Sequence, residues 1–431
     1  MTPGDRPGAG GGAGRRAIAA WCLYDWANSG FPTVVITFVF SAYVTKYVAE
    51  SATLGIAQWG TAISLSALTV AMLSPLLGAI ADNRGRRKPW LFAFTGLCIL
   101  TTFGLWTIEP EPTSLVPALV LVALSNAAFE FCQVFYNAML PDVAPRHMLG
   151  RISGWAWSCG YYGGLAVLII CLLVFALPEE PVFGLDKQSF EHLRITGPLV
   201  ALWFALFALP LFLVTPDRPA SGVGLWQGAQ QGIATLIRTV RQLRRYRNIA
   251  RYLLARMVYT DGLNTVFVVG GAYAANTFGM EFAEILTFGI LLNVTAGLGA
   301  FGFAWLDDWI GSKRTIMIAI AGLTLCAGAI LMVESKLWFY IAGCVLGVFA
   351  GPAQAASRTL MARLAPPELL TEMFGLYAFS GKATAFIGPA LVGWVTLWSD
   401  SQRVGMATIL AFFVTGFVLL LPVREPSDDA R

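Results

Sequence analysis

The sequence predicts an all-α integral membrane protein, with twelve transmembrane helices arranged as two six-helix bundles related by pseudo-symmetry. Three observations carry this expectation. Of 431 residues, 57% are hydrophobic and 13% charged, and the mean hydropathy is +0.66. A soluble domain of this length would carry roughly a quarter charged residues. The apolar residues fall into twelve runs near the ~20-residue length that spans a bilayer. A segment of the first half also recurs, without gaps, in the second.

The twelve runs are roughly 18–48, 57–81, 89–107, 115–140, 152–177, 196–214, 250–275, 284–306, 314–333, 337–362, 372–397 and 404–421. The short polar breaks between them leave no room for a second soluble domain. Residues 1–16 begin with a Gly-rich stretch containing Pro and read as a disordered cytoplasmic N-terminus. Residues 17–214 form the first bundle, 215–249 a linker, 250–421 the second bundle and 422–431 a tail. A signal-peptide reading of the first run is poor. The run is too long, is interrupted by Asp25 and Asn28, and lacks a small-residue cleavage site.

Charge sets the orientation. With the N-terminus inside, 21 of the 29 Lys and Arg residues fall on the inner side and 5 on the outer, and Arg256, Arg358 and Lys382 lie within spans. The positive-inside rule then makes both termini cytoplasmic and predicts a multi-pass protein of the cell (inner) membrane. The seven cysteines all fall within spans and read as small buried residues. The two histidines map to loops, so neither a metal site nor a cofactor is expected. No nucleophile–base constellation suggests an enzyme, and no P-loop suggests direct drive by ATP.

The internal repeat pairs QVFYNAMLPDVAPRHMLGRISGWAWSCG, residues 133–160, with QAASRTLMARLAPPELLTEMFGLYAFSG, residues 354–381. At one constant offset Gln133 meets Gln354, Pro145 meets Pro366, Gly154 meets Gly375 and Gly160 meets Gly381. Parallel repeats of six helices are a transporter architecture, with the solute site between the halves near the midplane. In the linker, Ile233, Leu236, Ile237, Val240 and Leu243 recur at helical spacing with Arg238, Arg241, Arg244 and Arg245 between them. This predicts an amphipathic helix on the inner membrane surface, drawn to anionic lipid. The positive-inside rule already accounts for these charges, so nucleic acid is not expected as a partner.

GAIADNRGRRK, Gly78–Lys88, follows the second span. It resembles the loop 2–3 signature of the major facilitator superfamily through Gly78, Asp82, Gly85, Arg86 and Arg87; Asn83 stands where a basic residue is usual. A weaker copy, AWLDDWIGSKR, follows the eighth span with Asp308, Gly311, Lys313 and Arg314. The resemblance implies a latch in which Asp82 pairs with arginines and faces the N-terminus of the eleventh helix, closing the inner side. A carboxylate is stabilised at that positive end of a helix dipole.

Within the spans, polar residues are few and patterned. Asp25 and Asn28 in the first, and Asp261 and Asn264 in the seventh, both read D-x-x-N-[ST] behind a tyrosine. Residues three apart share a helix face, and an ionisable residue at membrane depth is a functional candidate. Glu130, Gln133 and Asn137 share a face of the fourth span; Gln354 and Arg358 lie in the tenth and Lys382 in the eleventh. The superfamily resemblance implies that helices 1, 4, 7 and 10 line a central cavity, which makes these ten residues the candidate solute and proton site. Glu130 is favoured for coupling. Structural ion pairs, Asp261 with Arg256 or Glu130 with Lys382, remain open. Trp155, Trp157, Tyr161 and Tyr162 read as interfacial aromatics, and Gly160, Gly163 and Gly164 with Gly381 as close packing between helices 5 and 11.

YDWANSGF, Tyr24–Phe31, together with the loop signature, is similar to a branch of the superfamily containing fungal vacuolar amino-acid effluxers linked to autophagy and bacterial permeases. The resemblance covers essentially the whole chain. It implies amino acids as the leading solute, and the expectation is a monomeric, proton-coupled secondary active transporter working by alternating access. The alternatives are an exporter or flippase of amphiphiles such as lysolipids or drugs, and a non-transporting sensor.

Overall fold

A computed structural model describes residues 14–180, 182–241 and 245–426. Most of the predicted N-terminal tail, the last five residues, and Leu243 and Arg244 of the linker stripe lie outside the described residues. Among the described residues, ten helices are long and apolar enough to cross a membrane. They are helix 1 (Arg15–Val48), helix 2 (Ala52–Arg84), helix 3 (Lys88–Thr107), helix 4 (Pro112–Val143), helix 5 (Arg146–Ala176), helix 6 (Glu191–Val214), helix 8 (Ala283–Ile310), helix 9 (Ser312–Met332), helix 10 (Lys336–Leu364) and helix 12 (Gln402–Leu420). Helix 7, Arg247–Phe278, is equally long but carries Arg247, Arg251, Arg256 and Asp261. Helix 11 is divided into Leu370–Lys382 and Ile387–Ser399.

Three expectations need correction. Arg15 and Arg16 do not belong to a disordered tail, because helix 1 starts at Arg15. Helix 11 is not one continuous span. Pro389 has no N–H for the carbonyl four residues back and its ring crowds that carbonyl; the chain passes from Lys382 to Ile387 through turns closed by Ala385 N–Lys382 O and Ile387 N–Thr384 O. The glycines of helix 5 do not face helix 11. Gly160, Gly163 and Gly164 lie against Asp25, Trp26, Ser29 and Thr33 of helix 1. Gly381 faces the Arg256 guanidinium of helix 7.

Proline also loosens helix 1. Its α-helical winding ends at Asn28, and the turns from Phe31 to Phe38, with Pro32 near their start, are wound more widely as a π-helix. Such bulges recur at functional sites.

The packing repeats between halves. Helix 1 packs on 5 and 6, helix 4 on 2 and 3, and helix 3 on 6; helix 7 packs on 11 and 12, helix 10 on 8 and 9, and helix 9 on 12. Between the halves, helix 2 meets 11 and helix 8 meets 5, while helix 10 meets 5 and helix 11 meets 4. The linker helix, Leu225–Arg241, lies along the end of helix 2 through Gly228 and Gly232, which face Arg84 and Ile80. Trp226, Ile233 and Ile237 are exposed, as are Arg238 and Arg241. This end of the molecule is called the linker face below.

Small residues permit the contacts between halves. A Cβ at Gly375 would collide with the backbone of Ser74 and Pro75, and one at Gly78 with Thr371 and Glu372. Gly154, the repeat partner of Gly375, meets Ala300 and Ala304 in the same way. Gly375→Val and Gly154→Val are each expected to cost about 1–3 kcal/mol through overpacking. Purified protein in detergent should then melt at a lower temperature, while Gly328→Val, where nothing lies within 4 Å, should leave the melting temperature unchanged.

Candidate functional site

Two layers of polar contacts join the halves, one at the linker face and one near the middle of the helices. At the linker face, Asp82 ends helix 2 against the first turn of helix 11. Its Oδ1 accepts from Thr371 N at 3.1 Å and its Oδ2 from Glu372 N at 2.9 Å. Asp308 of helix 8 does the same to helix 5, accepting from Gly150 N at 2.7 Å and Arg151 N at 3.1 Å. Thr371 and Glu372 are the repeat counterparts of Gly150 and Arg151. The four donors are therefore two equivalent pairs of free helix N-terminal N–H groups, which the carboxylates satisfy while meeting the positive end of each dipole. Gly85 and Gly311 follow in positive-φ backbone, at 84° and 92°, where an L side chain would be strained.

The cations around the two carboxylates differ. Arg87 is buried; its Nη2 lies 3.5 Å from Asp82, its Nε donates to Thr371 Oγ1 at 2.7 Å, and its Nη1 donates to Ala138 O and Asp142. Burial pulls its pKa below the ordinary guanidinium value, and the Asp142 carboxylate opposes that shift. In the second copy, Lys313 and Arg314 do not contact Asp308. Arg151 donates to Asp308 through Nε at 2.7 Å, and Arg363 lies 3.6 Å away. Lys313 instead donates to Leu421 O, and Arg314 is exposed, as is Arg86. Arg363 is the repeat counterpart of Asp142, so the ion pairing is kept with its charges exchanged. Sequence reading missed both residues, although their shared register in the repeat was a usable signal. Asn83 donates to Ala79 O of its own helix and reaches Thr235 of the linker helix at 3.5 Å.

Deeper in the molecule, a cavity of about 330 Å³ lies between the halves. Asp25, Glu130, Gln133, Asn137, Asn264, Gln354, Arg358 and Lys382 all line it, which brings together eight of the ten predicted residues. Helices 5 and 11 contribute to the wall beside 1, 4, 7 and 10. Arg358 is the centre of one cluster. Its Nη1 donates to Asp25 Oδ2 at 3.0 Å and to Asn137 Oδ1 at 3.2 Å, and its Nε donates to Ser153 Oγ at 2.9 Å. Trp21, Tyr136 and Trp157 surround its guanidinium within 4.8–5.7 Å. Trp157 is thus a cavity residue and not an interfacial anchor. Tyr161 likewise turns inward, accepting from Gln354 Nε2 at 2.9 Å. The second cluster is the ion pair Glu130 Oε1–Lys382 Nζ, 2.6 Å.

Asn28 and Asp261 do not line the cavity. Asn28 stands behind Asp25, with Nδ2 3.5 Å from Asp25 Oδ1. Asp261 is buried, its Oδ1 has no partner among the described residues, and it points towards Gly388 just beyond the break in helix 11. Asp261 and Arg256 form no ion pair, because five residues along a helix turn a side chain about 140° from its neighbour. Arg256 lines the cavity with Tyr259 and Tyr377. Sequence reading did not place these three in the site.

Both ion pairs cross from the first half to the second. The Asp25–Arg358 side chains are 8% and 2% exposed, and the Glu130–Lys382 pair is more open at 16% and 30%. Removing one member of a buried pair costs about 3–5 kcal/mol.

The family described as vacuole effluxer Atg22 like matches residues 59–428. The uncharacterized MFS-type transporter YxiO of Bacillus subtilis is 28% identical over 95% of this chain and 95% of its own. Autophagy-related protein 22 of Cryptococcus neoformans is 24% identical over 72% of this chain and 57% of its own length. The fold matches the proton:xylose symporter XylE with a TM-score of 0.72 at 13% identity, covering 95% of this chain and 96% of that one. The chain belongs to the Atg22-like family, and is a multi-pass membrane transporter of the major facilitator superfamily, not an enzyme.

Proposed function

We propose that this protein is a secondary active transporter that moves a small polar solute, with amino acids the leading class, by proton-coupled alternating access. The observation that carries this reading is the charged cavity wall, where two ion pairs bridge halves that are latched together at one face. With both termini cytoplasmic, the linker face is the inner face. Closed latches there fit a state whose cavity is reached from outside.

In this reading the more open pair, Glu130–Lys382, is the coupling element. Protonation of Glu130 removes its charge and frees Lys382, or the ammonium of a solute takes the place of Lys382 on the carboxylate. Asp25–Arg358 is the deeper link between helices 1 and 10. As the halves rock, Asp82 and Asp308 leave the N-termini of helices 11 and 5, and the cavity opens inward. The exposed Trp226, Ile233 and Ile237 of the linker helix, beside Arg238 and Arg241, rest on anionic lipid at the inner surface.

A second reading, an exporter of amphiphiles, is favoured by one feature. A crevice of about 790 Å³ between helices 1, 5 and 8 is lined by Ile18, Trp26, Trp155 and Phe301, with Arg15 also in its wall. Its lining is apolar, whereas the central cavity offers the charged groups a polar solute needs.

Uptake into proteoliposomes, with and without an imposed pH gradient, separates these readings: amino-acid flux supports the first, and movement of lysolipids or dyes alone supports the second. Glu130→Gln is expected to abolish gradient-driven uptake while preserving solute exchange; gradient-driven uptake at the wild-type rate would remove Glu130 from coupling. Asp25→Asn should lower uptake by roughly a hundredfold, the equivalent of about 3 kcal/mol, and a wild-type rate would exclude it from the cycle. Asp82→Asn should populate inward-open states, read as increased labelling of cavity cysteines from the linker face. An unchanged labelling pattern would count against the latch.

A further inference from the structure

The two ion pairs use both carboxylates of the cavity lining and two of its three cations. The third cation, Arg256, forms no ion pair among the described residues. It is 9% exposed, and its guanidinium carbon sits 3.3 Å from the centroid of the Tyr377 ring. Both of its hydrogen bonds to described residues leave from Nη1, to Tyr377 O at 2.6 Å and Ser380 Oγ at 2.8 Å. Nε is buried without a partner among the described residues. One end of the guanidinium is thus anchored to helix 11, while the Nε–Nη2 edge has no acceptor among the described residues. That edge is the planar fork that binds a carboxylate through two parallel hydrogen bonds.

We propose that Arg256 binds a carboxylate of the transported solute through this edge. A guanidinium held among tyrosines, with an unpaired donor, is a costly arrangement unless an anion completes it. The cavity lining carries three cations against two carboxylates, so one bound carboxylate brings it to neutrality. The anchor atoms also suit a transport site. Tyr377 and Ser380 lie on the same short helix as Lys382, just before the break in helix 11, so a carboxylate on Arg256 loads the element that also holds Glu130. The proposal rests on the transporter reading above and narrows its solute to carboxylates.

The test uses the purified full chain, with the twenty amino acids beside their carboxamides as probes. Binding is read by intrinsic tryptophan fluorescence in detergent, and uptake by mass spectrometry of proteoliposome contents. The wild-type protein should bind an acid roughly ten- to hundredfold more tightly than its amide, the worth of a hydrogen bond to a charged group. Arg256→Gln should weaken the acid to the level of the amide and leave the amide unchanged, and Arg256→Lys should recover part of the difference. Equal wild-type affinity for acids and amides would overturn the anion site, as would an Arg256→Gln variant that weakens both alike. If Arg256→Gln does not fold, the wild-type comparison decides. Polar-solute flux without preference for the acid keeps the transporter reading and overturns the anion site. Binding of neither acids nor amides overturns both.

Discussion

Carboxylates seated on helix N-termini hold the two halves of this protein together at one end, and the closed geometry depends on them. Asp82 and Asp308 each accept two backbone N–H groups that a helix start leaves unsatisfied. The approach needs glycine at the crossing, since a side chain at Gly375 or Gly154 would strike the opposing helix before the carboxylate reached its donors. Position and charge cooperate: small residues bring the helices close, and the closeness makes a dipole contact worth having. Such contacts are individually modest, about 0.3–2 kcal/mol. That is enough to bias the halves towards one arrangement.

The same layer carries a second level of symmetry. Asp217 accepts from Arg87 N and Lys88 N at the start of helix 3. Glu425 accepts from Ser312 N and Lys313 N at the start of helix 9. The segments that follow helices 6 and 12 thereby cap the helices that follow the two latch motifs. Asp142 and Arg363 occupy one repeat position with opposite charge, and each finds an opposite partner, Arg87 in one half and the acidic group around Asp308 and Glu425 in the other. What the repeat conserves here is neutralisation, not residue type.

In the cavity, burial sets the terms. An unpaired charge away from water is far more costly than a paired one, so the ion pairs across the cavity are structural links between the halves. Departures from regular helix lie beside them. Pro32 loosens helix 1 one turn after Asn28, and Pro389 breaks helix 11 just after Lys382. Both sit on elements that carry a member of an ion pair, where local rewinding can reposition a charge without unpacking a whole helix.

The sequence by itself determined the membrane class, the number of crossings, the repeat and most of the polar residues around the cavity. These properties are local or periodic: a run of apolar residues, a constant offset, a carboxylate where a lipid-facing residue would be apolar. It also presented Asp82 and Asp308 in recognisable loops. Only the tertiary structure decided partners. Asp261 and Arg256 are five residues apart, yet the helix turns them to different faces. The small residues of helix 5 pack on helix 1 and not on helix 11, because the crossing is set by which helices are neighbours. Arg363 reaches Asp308 from another helix, and Trp157 flanks Arg358 where its position in the chain suggested an interface. Pairing between side chains on different helices is a property of how the helices pack, and no local signal in the chain encodes it.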